Sequence, residues 1–175
     1  MAFRHFHFIW RKMEIKITID VTKLSEAFRR NAEQTRIELR TGMKKALEEI
    51  RDVARINHRF VSRTGAAERS IQYQTDHLGL EGRVGINEGI ARHARYQHEG
   101  TGIYGPKHRP IRVQPKTRKA LYWVQGGEKR FSKGHEINGI IKDQFVYRAA
   151  ELLEKKTVET IGEYVGIALK KAGLI

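Results

Sequence analysis

The chain has 175 residues, 39% of them hydrophobic, which is enough for one ordinary domain with a modest core. Its 34 Lys and Arg against 20 Asp and Glu leave a net charge of +14, favouring an acidic partner: nucleic acid, an anionic membrane or an acidic protein surface. With no cysteine, a disulfide scaffold, a thiolate metal site and a cysteine nucleophile are excluded, and no apolar run reaches the ~18–20 residues of a membrane span.

Residues 1–12 begin MAFRHFHFIW, an aromatic stretch interrupted by His5 and His7 and without a small-residue cleavage site. It does not read as a secretory signal and is set apart as an N-terminal extension, with Met13 an alternative start. Residues 14–20 alternate Ile15, Ile17 and Ile19 with Glu14, Lys16 and Thr18, the period of a half-buried strand. Thr22 can cap a helix with Glu26 in its first turn. Apolar positions then recur at Leu24, Phe28, Ala32, Leu39, Met43, Leu47, Ile50 and Ala54, predicting one long amphipathic helix to about Asn57, with Gly42 able to break or bend it.

From 59 to 86 a Gly-centred turn and a helical turn lead into SIQYQTDH and LEGRVGI, two weakly alternating runs joined through Leu78-Gly79 as a hairpin. A short helix is expected around 89–98, and Gly and Pro make 100–115 loop. Residues 119–124 (KALYWV) read as a buried strand ended by Gly126-Gly127, and 128–138 as a second loop. From Asp143 a helical period returns at Val146, Ala149 and Ala150, Leu153, Thr157, Thr160 and Ile161, Tyr164 and Ala168, running nearly to Gly173 with Gly162 and Gly166 weakening its end. The expected fold is α+β, a small and mostly antiparallel sheet packed against a long N-terminal and a long C-terminal helix. Residues 13–175 are read as one domain.

The charge is concentrated. Between positions 89 and 135 eleven cations (Arg92, Arg95, Lys107, Arg109, Arg112, Lys116, Arg118, Lys119, Lys129, Arg130 and Lys133) face only Glu99 and Glu128. Cations gathered on loops are placed for a partner rather than for folding, so the nine from Lys107 to Lys133 are the expected contact residues. The bland alternative is a solvated basic face.

Motifs for chemistry are weaker. Gly100-Thr101-Gly102-Ile103-Tyr104-Gly105 matches G-x-G-x-x-G, but a dinucleotide site needs that motif to leave a strand and open a helix. Here a helical run precedes it and Pro106 and Pro110 follow. His93 and His98 are five apart, about 140° around a helix, and do not converge on a metal. A nuclease built from Arg95, His98 and Glu99 can be drawn, but the spacing does not demand one. No catalytic residue, cofactor or metal is assigned.

Three segments carry a resemblance: Arg63-Thr64-Gly65-Ala66-Ala67-Glu68-Arg69-Ser70-Ile71, Tyr96-Gln97-His98-Glu99-Gly100-Thr101-Gly102 and Gln144-Phe145-Val146-Tyr147-Arg148-Ala149. In order and spacing they resemble the tail-completion (neck, head–tail joining) proteins of long-tailed bacteriophages, whose pattern is R-T-G-x-L-x-x-S-I, then Y-x-x-E-x-G-T, then P-F-L-x-x-A opening the last helix. This chain departs from it at Ala67, at Gln144 and at His98-Glu99, and its 107–136 region is longer. The resemblance implies a structural virion protein assembled in the host bacterial cytoplasm. It would form a homo-oligomeric ring, six-fold favoured, at the neck or tail top. Its neighbours would be connector or adaptor and tail-tube or terminator proteins, with double-stranded DNA in the lumen and no membrane. It also implies that Arg63, Thr64, Gly65, Glu99, Gly100, Thr101 and Phe145 shape the fold, while a basic loop at about 104–135 meets the partner. The alternative is a sequence-nonspecific nucleic-acid-binding protein or basic nuclease, with Tyr104, Tyr122 and Trp123 beside the cations.

Overall fold

The computed structural model describes residues 6–11, 14–19 and 24–175. In chain order the elements are β1 (Phe6–Arg11), β2 (Glu14–Ile19), α1 (Ser25–Ile56), α2 (Ala66–Ser70), β3 (Ile71–Thr75), β4 (Glu81–Ile86) and α3 (Glu88–Glu99). A 3-10 turn at Gly102–Tyr104 precedes β5 (Ile111–Val113), β6 (Leu121–Gln125), β7 (Glu128–Ser132), β8 (His135–Ile137) and α4 (Phe145–Lys171). The fold is α+β, and the chain divides into two compact units, Met1–Arg95 with Gln144–Ile175 and Tyr96–Asp143.

The first unit holds an antiparallel sheet in the order β1-β2-β4-β3. Ile15, Ile17 and Ile19 are buried as their alternation requires, and β2 pairs with β4 so that Ile15 lies opposite Val84. The expected hairpin is β3–β4, with Tyr73 opposite Val84. Strand β1, not foreseen, pairs with β2 along its whole length, from Phe6 opposite Ile19 to Arg11 opposite Glu14. The first twelve residues therefore include an outer strand of this sheet.

Helices α1 and α4 pack on one another and, with β2, β3 and β4, enclose the core of Leu39, Met43, Leu47, Ile50, Ile71, Phe145, Val146 and Ile161. Their seam is antiparallel. Arg30 reaches the Gly173 carbonyl (3.1 Å), Lys171 reaches Glu38 (2.6 Å), Lys156 reaches Glu49 (3.1 Å) and Arg148 reaches the Asn57 carbonyl (2.7 Å). α1 is interrupted at Asn31 (φ −151°, ψ 75°) and not at Gly42. Asn31 Oδ1 accepts the Gln34 amide at 3.3 Å, restarting the helix as an N-cap, and the Thr35 hydroxyl donates to the Ala27 carbonyl at 3.3 Å. That break rotates the apolar stripe, so Ala32 is exposed while Ala27 and Thr35 are buried. Thr22, expected to cap α1, lies outside the described residues. α4 runs unbroken through Gly162 and Gly166.

In the second unit β5 pairs with β8 and β6 with β7, both antiparallel. Much of what reads as loop between 100 and 138 is therefore strand. The segment 119–124 does hold most of β6, but as an exposed hairpin arm rather than a buried strand, with Tyr122 at 55% and Val124 at 58% exposure. Gly126 and Gly127 (φ 59° and 84°) form the two-residue turn between its arms, a geometry that favours glycine at both positions.

Candidate partner interface

The two ends of the basic stretch are locked together. Gly100 and Gly102 adopt φ of 75° and 64° at the end of α3. The Thr101 amide donates to the Ile140 carbonyl (2.9 Å), the Ile103 amide to the Asn138 carbonyl (2.9 Å) and the Ile140 amide to Thr101 Oγ1 (2.8 Å). A Cβ on Gly102 would stand 2.0 Å from the Asn138 carbonyl oxygen, and one on Gly139 2.2 Å from that of Thr101. One on Gly105 would meet the Gly100 carbonyl oxygen at 2.8 Å. The glycines of the G-x-G-x-x-G match thus serve close approach of backbone to backbone, not a phosphate. The Asp143 amide donates to the Gln97 carbonyl (2.9 Å) and extends the clamp.

From this clamp the expected contact residues project into solvent. Lys107 and Arg109 precede β5, Arg112 lies on β5 opposite Glu136, and Lys116, Arg118 and Lys119 occupy the β5–β6 connection. Lys129 and Arg130 sit on β7 and Lys133 in the turn after it. All nine are exposed. Arg130 pairs with Glu128 at 2.8 Å, and the other eight make no ion pair with a described residue. Charge left unmatched by the fold is available to a partner, and each such group keeps its full attraction for an opposite charge.

Sequence reasoning missed the apolar side of this unit. β6 and β7 place Tyr122 opposite Phe131 and Val124 opposite Lys129 on one face, and Trp123 opposite Arg130 on the other. The Trp123 ring lies 5.1 Å from that of His135, so this second face looks onto β8. The first face leaves Phe131 68% exposed beside Tyr122 and Val124.

The fold-motif residues sit at junctions. Gly65 (φ 66°) is itself the N-cap of α2, its amide donating to Ser62 Oγ at 3.2 Å. Thr64 Oγ1 accepts the Ala66 amide at a long 3.4 Å, and the Thr64 carbonyl accepts from Arg69 at 3.0 Å. Arg63 is exposed beside this turn. Arg55 holds the α2–β3 corner through the carbonyls of Glu68 (3.1 Å) and Ile71 (2.8 Å). Phe145 opens α4 fully buried, edge-on to Phe60 at 5.5 Å. Glu99 closes α3, and Arg95 pairs with Glu88 at 3.3 Å. Of the residues drawn into a nuclease, His98 is buried at 1% exposure.

Among the described residues no group of three or more His, Asp and Glu side chains could hold a metal, and no helix is long and apolar enough to cross a membrane. Comparison with protein-family models, curated proteins and solved structures finds no match.

Proposed function

We propose that this chain is a structural protein of a phage neck or tail top. It assembles as a ring, six-fold favoured, between head connector and tail, with the unit Tyr96–Asp143 as its partner-facing element. The observation that carries this reading is where the three resemblance-bearing segments fall. RTGAAERSI builds the turn, helix and strand at α2–β3, YQHEGTG ends α3 and forms half of the glycine clamp, and QFVYRA opens α4. Each is scaffold, and the eight cations that make no ion pair with a described residue stand on the segment that two of these junctions enclose. Rings arise when one patch on a subunit meets a different patch on the next. The test is a reconstruction of virions from the phage carrying this gene. A closed ring of this chain at the neck or tail top is expected, and a single copy, or absence from neck and tail, overturns the reading.

The exposed cations of this unit, eight of them without an ion pair to a described residue, also favour a second reading, a sequence-nonspecific nucleic-acid-binding protein. Binding of duplex or single-stranded DNA by the purified protein, with steep salt dependence and no place in the virion, would support it.

A further inference from the structure

The β6–β7 hairpin carries more than charge. Its outward face consists of Tyr122, Val124, Phe131 and Lys129, three large exposed apolar side chains and one cation on a strip two residues wide. An aromatic pair left in water forfeits burial that folding would normally claim, which marks a surface kept for association. Among the described residues β6 and β7 pair only with each other, so their outer edges also offer unpaired backbone groups. The Gly126-Gly127 tip has nothing within 4 Å of either glycine's Cβ position.

The charges identify the occupant. Lys129 lies on the face and Lys119 and Lys133 flank its open end, none of them paired with a described residue. The unit Tyr96–Asp143 holds ten Lys and Arg against four Asp and Glu, a surplus of six, which leaves +8 of the chain's +14 on the remainder. A second copy therefore offers the wrong sign. Nucleic acid offers the right sign but the wrong surface. The Tyr122 and Phe131 rings lean on one another at 5.3 Å and 46° instead of standing as open plates for bases, and Val124 stacks on nothing. An apolar protein surface edged with carboxylates satisfies both the side chains and the cations.

We infer that the β6–β7 hairpin docks its Tyr122–Val124–Phe131 face against an apolar, carboxylate-edged surface of a different, acidic protein. The inference rests on the proposed structural role and names the chemistry of its partner. The test uses the full chain with Phe131→p-benzoylphenylalanine, expressed in cells producing the phage that carries its gene, irradiated and mapped by mass spectrometry. The expected crosslink joins position 131 to an apolar peptide flanked by Asp or Glu in another protein. Adding Lys119→Glu, Lys129→Glu and Lys133→Glu should reduce its yield at least tenfold, while the circular dichroism of the purified variant stays that of the parent. Crosslinks to DNA or to a second copy, an unchanged yield in the charge-reversed variant, or no crosslink at all overturn the inference. The two proposals fail separately. A chain present in the neck ring whose position 131 crosslinks only DNA loses the docking and keeps the ring. A chain absent from the virion that crosslinks an acidic protein keeps the docking and loses the ring.

Discussion

Gly42 on α1 stands against Tyr164 on α4 so closely that a Cβ at position 42 would lie 2.6 Å from the tyrosine Cβ. The obstacle is the root of the side chain, which cannot swing aside, so the helices would have to separate. Glycine in a helix interior costs about 1 kcal/mol relative to alanine, yet overpacking a tight contact costs about 1–3 kcal/mol. The second effect should win. Gly42→Ala is expected to lower stability by up to about 2 kcal/mol, whereas Gly162→Ala, at a position with nothing within 4 Å, should raise it by up to about 1 kcal/mol. Paired urea titrations check this, and equal effects at both sites would mean that the α1–α4 seam does not need its glycine.

The glycine clamp makes a sharper prediction. At Gly102 an added Cβ meets both a positive φ of 64° and a backbone carbonyl at 2.0 Å, neither of which a rotamer change can relieve. Gly102→Ala should cost more than about 2 kcal/mol locally. Hydrogen exchange should show lost protection in residues 96–143, with the amides of α1 and α4 as slow as in the parent. Unchanged exchange at Thr101, Ile103 and Ile140 would refute the clamp.

Legibility in the sequence followed side-chain periodicity. Ile15, Ile17 and Ile19, and the fours and sevens of α1 and α4, repeat because one face of each element is buried, so those elements could be read directly. β7 could not. In EKRFS every residue but Ser132 is exposed, so no alternation of burial is written into it, and Gly126-Gly127 reads equally well as a stop or as a hairpin turn. β1 could not be read either, because its Phe6–Trp10 run is apolar apart from His7 and carries no period of two. In the candidate interface the cations were legible from composition alone. The clamp was not, because Thr101 finds its partner 39 residues away and glycine leaves no side-chain pattern to follow. Phe131, set among Lys129, Arg130 and Lys133, likewise gave no hint of the apolar face it shares with Tyr122.

Ile17 is fully buried in the central part of the sheet, opposite Gly82. A Cβ on Gly82 would press on Leu47 and Met43, so helix and sheet are in direct contact there. Ile17→Asp would place a carboxylate in that contact without a partner, costing several kcal/mol, about the whole stability of a domain this size. The variant should be unfolded or insoluble. A soluble variant with the parent's melting temperature would remove Ile17 from the core.

Acid should loosen the same seam. Glu38 accepts hydrogen bonds from Lys171 and Gln34, each at 2.6 Å, and chiefly the Lys171 contact holds its carboxyl below the ordinary value of 4.5 against the opposing effect of burial. The folded state therefore binds this proton less readily than the unfolded chain, so stability rises with pH between the lowered folded value and 4.5. Its contribution is complete above that window and lost as pH falls through it. Going from about pH 6 to about pH 3, Glu38→Gln should lose less stability than the parent, measured by urea midpoint. Parallel losses in the two proteins would show that the Lys171–Glu38 contact carries none of the acid sensitivity.

The last prediction concerns the unpaired cations. Exposed ion pairs contribute only about 0–1 kcal/mol each, and Arg109, Arg112, Lys116 and Arg118 have no ion pair with a described residue, so their removal should leave the fold untouched. Reversing all four to Glu is expected to preserve helical content and melting temperature while abolishing docking, read as virions lacking attached tails. Salt then separates the partners. If the cations meet phosphates, each contact contributes just under one unit to the slope of log affinity against log salt, about 0.9 for duplex DNA, and the parent's slope should exceed the variant's by three to four units. If they meet an acidic protein, the dependence is shallower, because no condensed counterion layer is released, and reversing the partner's carboxylates should restore binding of the Glu variant. Full infectivity of the fourfold variant would leave the charge on this unit without a role in attachment.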